Sequence, residues 1–275
     1  MDKLQNTFWF VFCGGSLLLK EPSTEDGHHS IPYSPQPPTE TKEWTSIISL
    51  PEDTHGTPRK AYSINTPAHI DGYIFVGLRE SYNRLSLDDY NIAGKAYELL
   101  YWDNNTKYCG LCGAPMRKAT AISKQCTHCG KEVWPQVSPA IIVRIRKSLD
   151  NGTEQILLVH ARNFRRSDMY GLVAGFVETG ETLEDCVKRE VEEETHLQIK
   201  NIQYFGSQSW PYPCGIMIGF TADYAGGQLQ LQQEELSNAG WFTSETMPEI
   251  PDKMSIARRL IDDWLTTTAQ GSHTR

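Results

Sequence analysis

The chain has 275 residues, which is enough for one large domain or for two smaller domains that each bury a core. Charged residues make up 22% of the sequence and apolar residues 39%, a composition that excludes a wholly disordered chain. The net charge of −8 at pH 7 argues against a protein that coats nucleic acid without sequence preference.

Residues 1–100 predict an N-terminal, mostly β domain. Strand signals run through FWFVF, WTSIISL and GYIFVGLR, and the proline-rich segment 20–44 predicts a long surface loop. Its adjacent histidines, His28 and His29, are assigned no role. The apolar run 8–19 is too short to span a bilayer and lacks the basic flank and cleavage site of a signal peptide. We therefore expect buried strands here, and a cytoplasmic protein without a membrane partner.

The segment IAGKAYELLYWDNN, residues 92–105, predicts a helix with one apolar stripe. Two Cys-x2-Cys pairs follow it, separated by 13 residues, and glycine follows each pair at Gly113 and Gly130. Glycine permits the tight turn that presents two thiolates to one metal ion. The spacing predicts a zinc ribbon over residues 101–136 with one structural Zn²⁺ per chain, held by Cys109, Cys112, Cys126 and Cys129.

Two other interpretations of the cysteines are considered: cysteines without a metal, and a zinc ribbon that binds nucleic acid. Seven cysteines cannot all form disulfides within one chain, and redox-active or unpaired cysteines fit the paired spacing less well than zinc does. A ribbon by itself would also suit a nucleic-acid-binding module. The acidic net charge and the lack of an arginine or lysine array around the ribbon count against that function.

Residues 137–267 predict an α/β or α+β domain with a mixed sheet. Two apolar strands flank the hairpin turn signal Asp150-Asn151-Gly152. A glycine-punctuated loop, an acidic helix, two further strands and a last helix are expected to follow. Residues 268–275 are interpreted as a flexible tail.

The acidic helix contains the stretch REVEEETHL, residues 189–197. On a helical wheel Glu190, Glu193 and Glu194 fall within about 100° of one another and continue the apolar side, whereas Glu192 points away. Like charges at this spacing destabilise a helix unless something neutralises them, and hard divalent cations bind clustered carboxylates. A solvated acidic face is the alternative. Arg189 lies off this face and is expected to brace a carboxylate or the preceding loop.

The stretch from Gly175 resembles the Nudix box, G-x5-E-x7-R-E-U-x-E-E-x-G-U, where U is an aliphatic residue. Eight of the nine defined positions match in register, and His196 replaces the final glycine. We expect His196 to be a strained left-handed cap and not a ligand. The resemblance implies a Nudix α/β/α sandwich that hydrolyses a nucleoside-linked diphosphate, with Arg189 in the site and Mg²⁺ or Mn²⁺ held by Glu190, Glu193, Glu194 and a distal glutamate, Glu235 or its neighbour Glu234.

Residues 207–213, SQSWPYP, resemble the SQPWPFP signature of the NADH pyrophosphatase branch of this family, with Ser209 and Tyr212 as departures. The domain order and the segment SIARRLI at 255–261 are similar as well. This resemblance implies hydrolysis of NADH or NAD⁺ to nicotinamide mononucleotide and AMP, removal of NAD caps from RNA 5′ ends, and a homodimer. It also implies substrate contacts at Phe176, at Trp134 from the partner subunit, and at Ser207, Gln208, Trp210 and Ala257.

Two competing functions stay open at this point. One is a Nudix hydrolase of other or broader specificity, acting on ADP-ribose or dinucleoside polyphosphates, which the departure at Ser209 keeps open. The other is a catalytically quiet Nudix-fold binding protein, against which the retained box glutamates argue. The arginines of ARNFRRSDMYG, which are Arg162, Arg165 and Arg166, are interpreted as solvated and are left outside the site.

Overall fold

The computed structural model describes residues 5–22, 29–162 and 169–271, so His28, Arg165, Arg166 and residues 272–275 lie outside the described residues. The chain divides into two compact units. The first consists of Met1–Gln136 with Pro211–Cys214, and the second of Val137–Trp210 with Gly215–Arg275. Across the described ranges, every helix is too short or too polar to cross a bilayer.

The first unit contains a six-stranded mixed sheet in the order β4-β5-β1-β2-β6, with β3 beside β1. Its strands are β1 (Thr7–Cys13), β2 (Ser16–Lys20), β3 (Tyr33–Ser34), β4 (Ile48–Leu50), β5 (Arg59–Ile64) and β6 (Tyr73–Gly77). Strand β5 pairs in parallel with β1 and was not among the predicted strands. Its residues, RKAYSI, begin with two cations, and the partner that makes them a strand lies some fifty residues earlier in the chain.

Helix α1 (Leu87–Asn105) begins before the predicted start at residue 92. Ser86 caps it, accepting a hydrogen bond from the Asp89 backbone amide at 3.1 Å. The segment 211–214 packs on this helix within the first unit. A Cβ atom at Gly94 would lie 2.8 Å from a ring carbon of Pro211, so only glycine allows this close packing.

Three short strands form the sheet that follows α1, in the order β7-β8-β9. They are β7 (Met116–Thr120), β8 (Ser123–Cys126) and β9 (Glu132–Val133). Lys124 of β8 is buried, and its ammonium group lies 3.0 Å from the carboxylate of Asp103 near the end of α1. This buried ion pair ties the small sheet to the helix.

The second unit is an α/β/α sandwich around a mixed six-stranded sheet in the order β13-β14-β10-β11-β15, with β12 beside β10. Strand β10 pairs in parallel with β14, and the other neighbours pair antiparallel. The predicted fold class is thereby confirmed. The elements are β10 (Ser138–Ser148), β11 (Glu154–Ala161), β12 (Val173–Phe176), α2 (Leu183–Thr195), β13 (Gln198–Trp210), β14 (Gly215–Gly226), β15 (Leu236–Phe242) and α3 (Ile256–Gly271).

Alternation along β10 builds the two cores of this sandwich. Ile141 and Val143 pack with the apolar side of α2, which includes Cys186 and Val191. Ile142 points to the opposite face and belongs to the cluster that buries α3. Burial on both faces explains the continuous apolar run of residues 140–143 in the middle of β10.

Two details of the predicted element order are wrong. Three strands follow the acidic helix instead of two, because β15 (LSNAGWF) is irregular in pattern and becomes a strand by pairing with β11. The glycine-punctuated loop contains a strand as well, β12, which pairs with β10. The last helix continues to Gly271, so residues 268–271 of the expected tail are helical.

Candidate active site

Helix α2 lies against strand β12 so closely that one residue of the strand must be glycine. A Cβ atom at position 175 would overlap the carboxyl group of Glu190. Glu190 is therefore held beside the backbone of β12, and burial raises the pKa of its carboxyl group. The first glycine of the motif and the first of its clustered glutamates are thus linked by direct packing.

Arg189 organises the acidic side chains around it. Its guanidinium donates to both carboxylate oxygens of Glu181, at 2.8 and 2.9 Å. It also donates to Glu190 at 2.9 Å and to Glu193 at 3.0 Å. A further bond at 3.0 Å reaches the carbonyl oxygen of Phe176 at the end of β12. Arg189 thereby holds the helix, the strand end and three carboxylates in one arrangement.

Glu181 gains a second partner in the backbone amide of Glu178, which donates at 2.7 Å. Its hydrogen bonds with Arg189 and with this amide lower the pKa of the Glu181 carboxyl group to about 2. Glu181 was not among the predicted site residues. Its place in the Nudix-box pattern was the signal that would have found it.

Glu194 is buried, with 6% of its surface exposed. Its carboxylate contacts no hydrogen-bond donor or cation among the described residues. Burial, followed by the nearby Glu190, Glu235 and Glu193, raises the pKa of its carboxyl group to about 8. An uncompensated acid among other acids is an arrangement that a divalent cation would neutralise, so the donor set fits Mg²⁺ or Mn²⁺. Glu192, by contrast, is exposed.

Glu235 comes from a segment that lies on the last turn of α2. The amide of Gln232 donates to the Glu194 carbonyl at 3.0 Å, and the amide of Glu235 donates to Gln232 at 3.1 Å. The Arg162 amide donates to the Glu235 carbonyl at 2.9 Å, and its guanidinium bonds the carbonyl of Gln233. Arg162 thus braces this segment, although it had been interpreted as solvated. The two contacts join residues about seventy positions apart, so no local pattern could have predicted them.

The acidic side chains do not, however, form a closed cage. Within the described ranges, the four cysteines form a group of ligand atoms that all lie within 4.8 Å of one another, and the glutamates form none. The arginine lies between the carboxylates of Glu190 and Glu193. Cation binding would therefore require small rotations of these side chains.

The four predicted ribbon cysteines do form a compact cluster. The Sγ atoms of Cys109 and Cys129 lie 3.6 Å apart and those of Cys112 and Cys126 lie 3.5 Å apart, close to the roughly 3.8 Å edge of a ZnS4 tetrahedron. Backbone amides of His128 and Cys129 donate to the Cys126 sulfur, both at 3.4 Å, an arrangement that stabilises the thiolate that zinc requires.

Gly113 and Gly130 have φ values of 75° and 74°. These are left-handed conformations that glycine adopts without strain, as the spacing had indicated. Each glycine follows the second cysteine of its pair. The two turns can therefore present all four thiolates to a single ion, and the cluster fits a structural zinc.

The SQSW segment ends strand β13, and its side chains differ in what they contact. Ser207 is exposed and Trp210 is half-buried. The side-chain nitrogen of Gln208 donates to the Met254 carbonyl at 2.7 Å, and its side-chain oxygen accepts from the Ile256 backbone amide at 2.6 Å. Gln208 is thus committed to the start of α3. Its bonds hold the turn next to Ala257, and its predicted contact with substrate stays a prediction.

The other predicted substrate contacts differ in how exposed they are. Phe176 is 66% exposed at the end of β12, beside Gly175. Ala257 is buried in the first turn of α3. Trp134, in the first unit, is 49% exposed. Exposed rings of this size are available for stacking on a planar ligand.

Sequence profiles of known domains match three parts of the chain. The NUDIX domain matches residues 141–265. An NADH pyrophosphatase-like rudimentary NUDIX domain matches residues 6–102, and the NADH pyrophosphatase zinc ribbon domain matches residues 104–133. The three matches follow one another in the order of the predicted segments.

Curated relatives carry the name NAD-capped RNA hydrolase NudC. The protein of Stutzerimonas stutzeri is 36% identical over 82% of this chain and 82% of its own. The chain belongs to the NudC-like branch of the Nudix family. The Deinococcus radiodurans relative is 41% identical over 71% of this chain and 70% of its own. The match to the Pectobacterium atrosepticum relative, at 44% identity, spans 63% of this chain and only 65% of that protein.

In this Nudix protein, Gly175→Ala should displace Glu190 without unfolding the sandwich. The added Cβ would overlap the Glu190 carboxyl group, and a shift of about 1 Å in a catalytic group can cost 10²-fold in rate. We expect a loss of turnover of about this size. Gly206→Ala is the matched control, because its Cβ would meet no atom within 4 Å. Equal activity in the two variants would contradict the packing argument.

Proposed function

We propose that this chain hydrolyses the pyrophosphate bond of NADH or NAD⁺, giving nicotinamide mononucleotide and AMP, and that it removes NAD caps from RNA 5′ ends. The observation that carries the proposal is the acidic cluster formed by α2 and the segment packed on its last turn, in which buried Glu194 lies near Glu190, Glu193 and Glu235. Domain profiles named for NADH pyrophosphatase and relatives named NAD-capped RNA hydrolase support the choice of substrate.

Mg²⁺ or Mn²⁺ would be held by the carboxylates of Glu190, Glu193, Glu194 and Glu235. The cation, when bound, supplies positive charge against the pyrophosphate and acidifies the attacking water. Arg189 keeps Glu190 and Glu193 in place through its hydrogen bonds. Because Arg189 also holds the end of β12, it keeps the neighbouring Phe176 in position.

Substrate contacts follow from exposure and position. The Phe176 ring is open to stack on a base of the dinucleotide. Ser207 and Trp210, at the end of β13, are proposed to border the same ligand. The backbone at Ala257, in the first turn of α3, is proposed to touch the substrate, and Gln208 fixes that turn by accepting from the Ile256 amide.

We further propose a homodimer in which Trp134 stacks on a ring of the dinucleotide bound to the partner subunit. Its half-exposed ring supports this role. A cytoplasmic location is also proposed, because a four-thiolate zinc site requires cysteines that remain reduced.

Hydrolysis of a substrate panel with Mg²⁺ or Mn²⁺ tests the function. The panel consists of NADH, NAD⁺, ADP-ribose, diadenosine tetraphosphate and NAD-capped RNA, and products are separated by chromatography. We expect nicotinamide mononucleotide and AMP from the dinucleotides and a 5′-monophosphate end on the RNA. A strong preference for ADP-ribose or diadenosine tetraphosphate would contradict the proposed substrate. No turnover of any compound would contradict the enzyme function and favour a binding protein.

A further inference from the structure

His196, which stands where the Nudix box has glycine, makes a contact that glycine cannot make. Its φ of 56° and ψ of 21° place it in the left-handed region, where a side chain is strained. Its Nδ1 atom lies 3.2 Å from the carbonyl oxygen of Gln230. A carbonyl oxygen only accepts hydrogen bonds, so Nδ1 carries the proton and donates it.

Gln230 belongs to the distal segment, residues 227–235, which ends at Glu235. This segment is docked on the last turn of α2 at several points. The amide of Gln230 donates to the Thr195 carbonyl at 3.1 Å. Gly227 lies directly over the backbone of His196, where a Cβ atom would meet the His196 carbonyl at 2.5 Å.

The docking continues toward the metal-binding acids. The Gln232 amide bonds the carbonyl of Glu194 at 3.0 Å, and Gln232 in turn accepts from the amide of Glu235. A ladder of hydrogen bonds thus runs from the ring of His196 to the backbone of Glu235. The bond from the His196 ring is the first of this series, and glycine, which the family has at this position, could not make it.

We propose that His196 is a positioning residue that ties the distal segment to the end of α2 and so fixes Glu235 relative to Glu194. The inference rests on the proposed role of these glutamates as metal ligands. The left-handed strain at His196 is the cost of a side chain at this position, and the bond to Gln230 is what the side chain adds.

Two variants separate the ring's contact from the backbone strain. His196→Gly relieves the strain and removes the bond. His196→Asn tolerates the left-handed region and can place an amide donor where Nδ1 now lies. Hydrogen–deuterium exchange of the zinc-loaded protein, without added Mg²⁺ or Mn²⁺, reports on the docking directly. We expect the amides of residues 230, 232 and 235 to exchange about threefold to tenfold faster in His196→Gly, and within about twofold of wild type in His196→Asn.

The His196→Gly variant should keep its stability but bind the catalytic metal less tightly. His196→Gly should melt at the same temperature as wild type or a few degrees higher, because the strain is gone. The Mn²⁺ concentration that gives half-maximal turnover should rise about threefold to tenfold in this variant and recover in His196→Asn. Asn201→Gly, which relieves left-handed strain on β13, should leave the distal segment unchanged.

Exchange in the distal segment that is the same in His196→Gly as in wild type would overturn the proposal. So would faster exchange spread over the whole second unit with a lower melting temperature, since that would indicate a purely structural role. A protein that hydrolyses none of the panel compounds would refute the proposed function, whereas the exchange experiment would still decide whether His196 holds the segment.

Discussion

Glu194→Gln should abolish nearly all turnover while leaving the fold intact. The glutamine keeps the shape of the side chain but cannot supply the charge that a divalent cation needs, so we expect a loss on the order of 10³-fold in kcat. Glu194 is buried near three other acidic residues. Glutamine avoids the cost of burying this carboxylate or of protonating it, so the zinc-loaded variant without Mg²⁺ or Mn²⁺ should melt no lower than the wild-type protein in the same state.

Glu192→Gln is the matched control for this experiment. It makes the same chemical change two residues earlier on the same helix, at an exposed position. Turnover of NADH, and melting of the zinc-loaded proteins without Mg²⁺ or Mn²⁺, should be measured side by side. Wild-type turnover in Glu194→Gln, or an equal loss in Glu192→Gln, would remove Glu194 from the proposed site.

Loss of a ribbon cysteine should have the largest effect on folding. Cys126→Ser removes a buried thiol from a cluster whose Sγ atoms lie within 4.8 Å of one another. The ribbon buries few apolar side chains of its own, and structural zinc contributes on the order of 10 kcal/mol to such small folds. We expect elemental analysis to find one zinc per wild-type chain and much less in the variant, with residues 104–133 open to proteolysis.

Cys13→Ser provides the control for the ribbon experiment. Cys13 ends strand β1 and is not part of the cluster. This variant should keep one zinc per chain and a protease-resistant ribbon. A wild-type protein without zinc, or a zinc-free Cys126→Ser ribbon that resists proteolysis as well as wild type, would refute a structural zinc.

Several parts of the site could be predicted because they are properties of contiguous sequence. The spacing of Glu190, Glu193 and Glu194 on one helix places them together whatever surrounds the helix. The same holds for the cysteine pairs with their glycines, where each turn is local. The fold class also followed from local periodicity, since helices and most strands keep their apolar pattern over their own length.

Other elements depended on partners far away in the chain. Strands β5 and β15 have weak patterns and form because β1 and β11 offer them backbone hydrogen bonds. The length of α1 was underestimated because the Ser86 cap and two aspartates precede its apolar stripe.

The amino-acid sequence by itself determined which chemistry this protein carries: clustered carboxylates on one helix, and four thiolates in two turns. Only the tertiary structure decided how those groups are held. It shows that Gly175 is required by the carboxyl group of Glu190, that Gln208 bonds the start of α3, and that His196 reaches Gln230. The reason is physical: residue type and spacing specify local conformation, whereas packing and hydrogen bonds between distant segments exist only once the chain has folded.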